Sequence, residues 1–299
     1  MRQQPYLFPD GAEFSRDNLI LHATGRRHVV NDFAGPLSIK SVIRGEVHWT
    51  VEGQHLLVDS NTFLVLDDGQ HYSMNIDAAR PVETCCVFFR GNYVEETAQD
   101  ATTPLAASLD SPWRGAPRLH FISRLHSDTK GAILPQLWSL GERCSRETQP
   151  SSFEEDFLTL SQNLLSLYKE VKAQYARVPA AKASTRDELF RRLQTAREYL
   201  HGNVDRQISL EEVSREACVS RYHLHRAFKR VFRLTPHAYL TGLRLERARV
   251  LLENGQAVTA AAMEVGFTSL SAFSRLFRAR YGHPPSAVLK IRKIGQAPR

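Results

Sequence analysis

Apolar positions along this chain keep one period in its front part and another in its back part. Between residues 14 and 95 they form short β-branched and aromatic runs, at 37–43, 46–51, 55–58, 62–66 and 82–89. Turn formers separate the runs: Arg44-Gly45, Glu52-Gly53, Asp59-Ser60-Asn61 and Asp67-Asp68-Gly69. Strands at this spacing predict a small antiparallel β-barrel or jelly roll, which buries alternate residues and can enclose a small ligand. Residues 95–117 read as loop, with Thr103-Pro104, Ser111-Pro112 and Ala116-Pro117. Helical spacing takes over at about 130–146 and 152–175. The second segment begins at Ser151/Ser152, has Glu154, Glu155 and Asp156 in its first turn, and carries a stripe of Phe157, Leu160, Leu164, Leu167, Tyr168 and Val171. That stripe must bury either against the barrel or against a second subunit.

The stretch from Val178 to Ser184 has no periodicity and contains Pro179, which sets an interdomain linker at 178–185. The expected organisation is therefore α+β in two domains. Residues 1–177 form a β-barrel with attached helices, and residues 186–299 form an all-α domain that begins with a helix near 186–202.

That second domain repeats itself. Residues 210–232 and 258–281 each read as a short helix, a tight turn and a second helix, ending on Phe228-Lys229-Arg230-Val231-Phe232 and Phe277-Arg278-Ala279-Arg280-Tyr281. In the first unit Leu210, Val213 and Ala217 make one apolar face, Cys218 and Val219 the turn, and Ser220 the cap of the next helix. With Leu224, Phe228, Val231 and Phe232 turned inward, Arg221, Tyr222, His225, Arg226 and Lys229 fall on the opposite face. In the second unit Ala262, Val265 and Phe267 pack, Gly266 turns the chain and Ser269 or Ser271 caps. Phe273, Leu276 and Phe277 face inward, leaving Leu270, Ser271, Ser274, Arg275 and Arg278 outside. Thr235-Pro236 starts a connecting helix and Gly255 ends it. Its 18 residues make a rod of about 27 Å, against about 34 Å for a turn of B-DNA.

Charge sharpens this picture. From Ser184 onward there are 21 Lys/Arg against 10 Asp/Glu, a net +11, while the preceding 183 residues carry 18 against 22, a net −4. The basic surface belongs to the duplicated helical domain, as expected of a polyanion binder. Met1 to Arg16 lack the apolar core of a signal peptide and no apolar run is long enough to span a membrane, so a cytoplasmic protein without a membrane role is expected. The cysteines at 85, 86, 144 and 218 form no CxxC pair. If Cys85 and Cys86 lie on a strand they point to opposite faces and are simply buried, rather than forming a soft-metal or redox site.

At these residues the chain resembles the AraC/XylS family of bacterial transcription regulators. The resemblance covers Ile208 to about Val288. It is strongest over Ala262-x-x-Val265-Gly266-Phe267-x-x-x-Ser271-x-Phe273-Ser274-Arg275-x-Phe277 and the following Gly282-x-Pro284-Pro285, and it extends to Arg244–Leu252 in the connecting helix. The resemblance implies that Tyr222, His225 and Arg226, then Leu270, Ser271, Ser274 and Arg275, are base-reading positions. Arg233 stands where family members often have glycine, which predicts strain at a left-handed helix end. Leu270 replaces a more usual polar residue.

The front domain looks like the cupin-type sensor of the arabinose-responsive branch, through the pattern from Gly45 by His48, Trp49 and Val51 to Gly53 and through Asp67–Tyr72. Effector contacts are expected from Trp49, His71, Tyr72 and Arg90. The His-x-His of metal-binding cupins is missing, since Trp49 and Thr50 follow His48. Neither a metal, a cofactor nor enzyme activity is expected. The resulting expectation is a DNA-binding transcription regulator that acts on double-stranded promoter DNA under a small-molecule effector, as a homodimer, with RNA polymerase as a further candidate partner. Two other readings stay open: a cupin-like enzyme with an accessory DNA-binding domain, and an effector-independent DNA binder.

Overall fold

The computed structural model describes residues 16–102, 119–121, 125–128, 131–144 and 153–289. Contacts divide the chain into two compact units, Met1–Ala173 and Gln174–Arg299.

The first unit holds strands β1 (Leu19–Ala34), β2 (Ser38–Arg44), β3 (Glu46–Val51), β4 (Gln54–Asp59), β5 (Thr62–Leu66), β6 (His71–Phe88) and β7 (Leu125–Ser127). Helix α1 (Tyr93–Thr102) precedes β7, and α2 (Leu134–Cys144) and α3 (Glu154–Ala176) follow it. Strand β6 is the spine. β1 runs antiparallel along one edge from Leu19↔Phe88 to Ala34↔His71. The other edge pairs first with β3 (Val51↔Tyr72 to His48↔Asn75) and then with β2 (Arg44↔Glu83 to Ser38↔Phe88). β3 leads on to β4, and β2 to β5 and β7. The result is a near-closed antiparallel barrel. Its turns follow from the punctuation in the sequence. Glu52 (φ 49°) and Gly53 (φ 77°) both sit in the left-handed region between the paired Val51 and Gln54, as a two-residue hairpin of the primed type requires.

Two apolar layers share these strands. Val42, Val47, Trp49, Val51, Leu64, Leu66 and Met74 fill the barrel interior. The opposite faces of β2, β5 and β6, through Ile39, Phe63, Val65, Cys85 and Val87, pack against Leu137 and Leu140 of α2 and Phe157, Leu160 and Leu164 of α3. Covering both faces explains why all five residues of β5 are buried. It also consumes the α3 stripe within the chain.

Several expectations change here. β1 and the first half of β6 were missing from the expected strands, because polar residues dominate 22–28 and 75–81 and their alternation is broken by the register shifts of β1. Part of the expected 95–117 loop is helix α1, anchored by buried Val94 and Thr97. The Pro-containing stretch 103–118 lies outside the described residues, as do Ser151 and Ser152. Cys85 and Cys86 point to opposite faces of β6. Both are buried, which pushes both thiols up and keeps them protonated.

The second unit holds α4 (Ala183–Gly202), α5 (Leu210–Glu216), α6 (Arg221–Phe232), α7 (Pro236–Glu253), α8 (Val258–Glu264) and α9 (Leu270–Tyr281). α4 starts within the expected linker, three residues before the expected helix, so non-helical chain between α3 and α4 is confined to 177–182. α4 packs on α5, α6 and α7, while α8 and α9 pack on each other and on α7. Thr235 caps α7, its Oγ1 accepting from the Ala238 amide at 3.2 Å, with Pro236 in the first turn. Asn254 is the C-cap, and Gly255 follows at φ 91°.

Candidate nucleic-acid interface

Both helix-turn-helix units close their first helix in the same way. Val219 N bonds Ser214 O at 3.0 Å and Cys218 N bonds Arg215 O at 3.1 Å. In the second unit Phe267 N bonds Ala262 O at 2.9 Å and Gly266 N bonds Met263 O at 3.0 Å. This is a Schellman closure, and it places Cys218 (φ 51°) and Gly266 (φ 79°) in the left-handed region. Ser209 and Glu212 form a reciprocal capping box at the start of α5, with Ser209 N to Glu212 Oε2 at 2.8 Å and Glu212 N to Ser209 Oγ at 3.1 Å. That Ser-x-x-Glu signal was available in the sequence. Ser220 occupies the N-cap of α6, yet its side chain makes no capping hydrogen bond. On α9 the cap is Ser269, whose Oγ accepts from the Ala272 amide at 3.3 Å. Arg233 ends α6 at φ 65°, ψ 4°, so the arginine adopts the strained left-handed position that Gly282 occupies after α9 at φ 79°.

α6 and α9 are both 12 residues long and match position for position. Leu224 and Phe228 correspond to Phe273 and Phe277, all buried. On the opposite face Tyr222, His225, Arg226 and Lys229 correspond to Ser271, Ser274, Arg275 and Arg278. Arg221, Tyr222, His225, Arg226 and Lys229 are all exposed, and so are Leu270, Ser271, Arg275 and Arg278, while Ser274 is half-buried. Tyr222 is 72% exposed, and Leu270 45%. Apolar side chains left in water on a basic face suit contact with base edges and thymine methyls. Arg226 Nη1 donates to Tyr222 Oη at 3.0 Å and its guanidinium stacks 5.3 Å from the Tyr222 ring, so the two side chains form one outward-facing pair. Arg221 pairs with Glu211 at 3.2 Å across the two helices of the unit. His223 and Arg230 are also exposed on α6, beside the set expected from the sequence.

Arg244 ties this arrangement together. It is buried on α7, its Nε donating to Val204 O at 2.9 Å and its Nη2 to Arg206 O at 2.6 Å. Burial depresses its pKa, and the Asp205 carboxylate acts in the opposite direction. A Cβ on Gly266 would lie 2.8 Å from Asp205 O and 2.9 Å from Arg244 Nη2. Gln207 Nε2 donates to Gly266 O at 2.6 Å. The segment entering the first helix-turn-helix, the connecting helix and the turn of the second helix-turn-helix are thus locked to one another. The sequence marked Arg244 only as part of the family pattern; its position in an otherwise apolar stripe was the available signal for burial.

A helix-turn-helix domain model matches residues 213–291. An activator of the XylDLEGF operon from Pseudomonas putida is 31% identical over 101 residues, covering 32% of this chain and 64% of the activator. The chain thus spans less than two thirds of that relative. A probable AraC family regulator of solved structure, from Rhodopseudomonas palustris, is 32% identical over 34% of this chain and 96% of its own, with a TM-score of 0.33. The chain belongs to the AraC family of transcriptional regulators. Similarity is not confined to the C-terminal helices: the uncharacterized HTH-type transcriptional regulator YbfI of Bacillus subtilis is 23% identical over 241 residues, 81% of this chain and 80% of its own. This AraC-family protein is a DNA-binding transcriptional regulator.

The four residues expected at an effector separate in the first unit. Trp49 and Tyr72 lie in the barrel interior, buried in one apolar cluster. His71 is exposed on the outside, with Nδ1 2.9 Å from Asp32 Oδ1. Arg90 lines a surface cleft of about 170 Å³ with Asp67, Phe89 and Glu95, and it donates to Glu96 Oε2 at 2.6 Å. Among the described residues, no group of three or more His, Cys, Asp or Glu side chains is placed to hold a metal. No described helix is long and apolar enough to cross a membrane.

Proposed function

We propose that this regulator reads promoter DNA with α6 and α9 in successive major grooves, under the control of a small effector held by the barrel. The carrying observation is the pair of matched helices, each with a buried aromatic or aliphatic ridge and an outward Arg/Lys face, fixed on one rod of about 27 Å. Tyr222, His225 and Arg226 read bases in one groove. In the other, Ser271, Ser274 and Arg275 supply small polar contacts, Leu270 an apolar one and Arg278 a phosphate contact, as Arg221 and Lys229 do for α6. Ser220 offers its hydroxyl at the start of the first reading helix, where it is not used for capping.

Effector control requires a ligand that favours one state of the protein over another. A near-closed barrel with Trp49 and Tyr72 inside supports the interior as its place, and the outward positions of His71 and Arg90 set them apart from it. The regulator acts as a homodimer in the cytoplasm and contacts RNA polymerase at the promoter. The Phe157 stripe of α3 is spent inside the first unit, so the dimer uses another surface.

The test is selection of bound genomic fragments by purified full-length protein, followed by footprinting. Protection in two blocks about one helical turn apart is the expected result. Sequence-blind, salt-sensitive binding alone would defeat the reading. The effector half is checked separately, by a metabolite-dependent change in affinity for the selected fragment.

A further inference from the structure

The interior of the barrel holds polar atoms that its own residues leave unanswered. Lys40 projects inward from β2, on the same face as Ser38 and Val42, and is 1% exposed. Its Nζ is buried without a hydrogen-bond partner, as are Ser38 Oγ and Trp49 Nε1. The ammonium rests 3.5 Å from the centroid of the Phe88 ring and 4.7 Å from that of Tyr72. Side chains facing it across the strands include Leu64 of β5 and Cys86 of β6, its register partners. None of these neighbours is a carboxylate. A buried charge without a counter-charge is among the least favourable groups a core can carry. Aromatic faces offset only part of that cost.

From this arrangement we infer that Lys40 is the anchor for a small organic carboxylate with an apolar body, bound inside the barrel. The inference rests on the proposed effector role of the barrel. The orphaned groups are all able to donate: an ammonium, a hydroxyl and an indole N–H. A set of donors lacking an acceptor matches a ligand that only accepts, and a carboxylate offers two such oxygens. The surrounding Val42, Leu64, Leu66, Met74 and Phe88 suit a hydrocarbon or aromatic body and give a sugar's hydroxyls little to bond. A phosphate dianion would need more positive charge than one lysine brings. In the ligand-free barrel, burial lowers the amine from 10.5 to about 7, and the charged form returns when an anion sits beside it.

The experiment uses full-length protein and the small-molecule extract of the source cells, split by ion exchange into anionic, neutral and cationic fractions. Melting of the wild type is compared with that of Lys40→Met and Lys40→Gln, which keep most of the length of the unbranched side chain and remove its charge. The anionic fraction is expected to raise the wild-type melting temperature and to leave both variants unchanged. A methyl-ester treatment of that fraction, which masks carboxylates and spares phosphates, should abolish the shift. Stabilisation of wild type and variants alike, a shift that survives esterification, or activity confined to the neutral or cationic fraction would overturn the carboxylate inference while leaving an effector in the barrel. No shift with any fraction would remove the effector reading itself, and the inference with it.

Discussion

Replacing Lys40 with methionine should make the ligand-free protein more stable, and the gain should depend on pH in a defined way. The folded barrel holds the amine at about 7, against an ordinary 10.5, because burial opposes its charge. Each tenfold change in proton affinity is worth about 1.4 kcal/mol. The charged lysine therefore costs the barrel on the order of 5 kcal/mol below neutral pH. Between pH 7 and 10.5 the unfolded chain keeps the proton and the folded barrel does not, so the contribution of this lysine to wild-type stability climbs with pH across this window, by up to about 1.4 kcal/mol per pH unit. Below 7 both states carry the proton, and this contribution is flat. Methionine fills similar space without charge, so the variant should lack the climb and exceed the wild type by several kcal/mol at neutral pH. The chain's three tryptophans, at 49, 113 and 138, all fall in the first unit, so urea unfolding followed by their fluorescence reports the barrel within the intact protein. Wild-type and variant curves that run parallel between about pH 7 and 10, or a variant less stable than wild type at neutral pH, would refute a buried, uncompensated ammonium.

Other outcomes follow from the DNA-binding unit. Arg226→Ala should weaken binding to the selected site by about 1–3 kcal/mol and relax preference at one base position, whereas Lys229→Ala should weaken all sequences alike and lower the salt slope by about 1; competition binding at several salt concentrations separates the two. Arg244→Met should leave the carbonyls of Val204 and Arg206 without their donor and destabilise the second unit by about 2–3 kcal/mol, read from its helical circular dichroism on denaturant titration. Gly266→Ala should cost that unit about 2 kcal/mol or more, because a Cβ meets Asp205 O at 2.8 Å and the backbone is left-handed there; an unchanged midpoint would show that the turn yields. Arg233→Gly should raise the midpoint by the equivalent of about 1 kcal/mol, by removing the side chain from a left-handed C-cap.

How much of this was legible in the sequence depended on whether one face of each element was left wet. The boundaries of α5, α6, α8 and α9 were readable because each of these helices has one buried ridge and an exposed polar side, so period and turn residues agreed. The strained Arg233 was legible too, because the fold demands a left-handed residue there. Lys40 was not. In Ser38-Ile39-Lys40-Ser41-Val42 every side chain is buried, half inside the barrel and half beneath the helices, so polarity no longer told the two faces apart. A lysine in a strand is ordinarily assigned to solvent, and only its strand neighbours' packing reverses that. The first half of β6 was hidden for a related reason, since the weakly apolar stretch at 77–81 interrupts the alternation that marks a strand.

The equivalence of α6 and α9 is one of backbone and core, not of the faces they present. One offers Tyr222, His225 and Arg226 where the other offers Ser271, Ser274 and Arg275. On the proposed reading a single protomer therefore has no internal two-fold axis in what it recognises, and the half-site it selects is an arrow rather than a palindrome. Turning that arrow around on a promoter leaves one protomer's affinity intact and reverses which of its two recognition helices faces the start site. Orientation then becomes a heritable property of each half-site, set by a few base pairs.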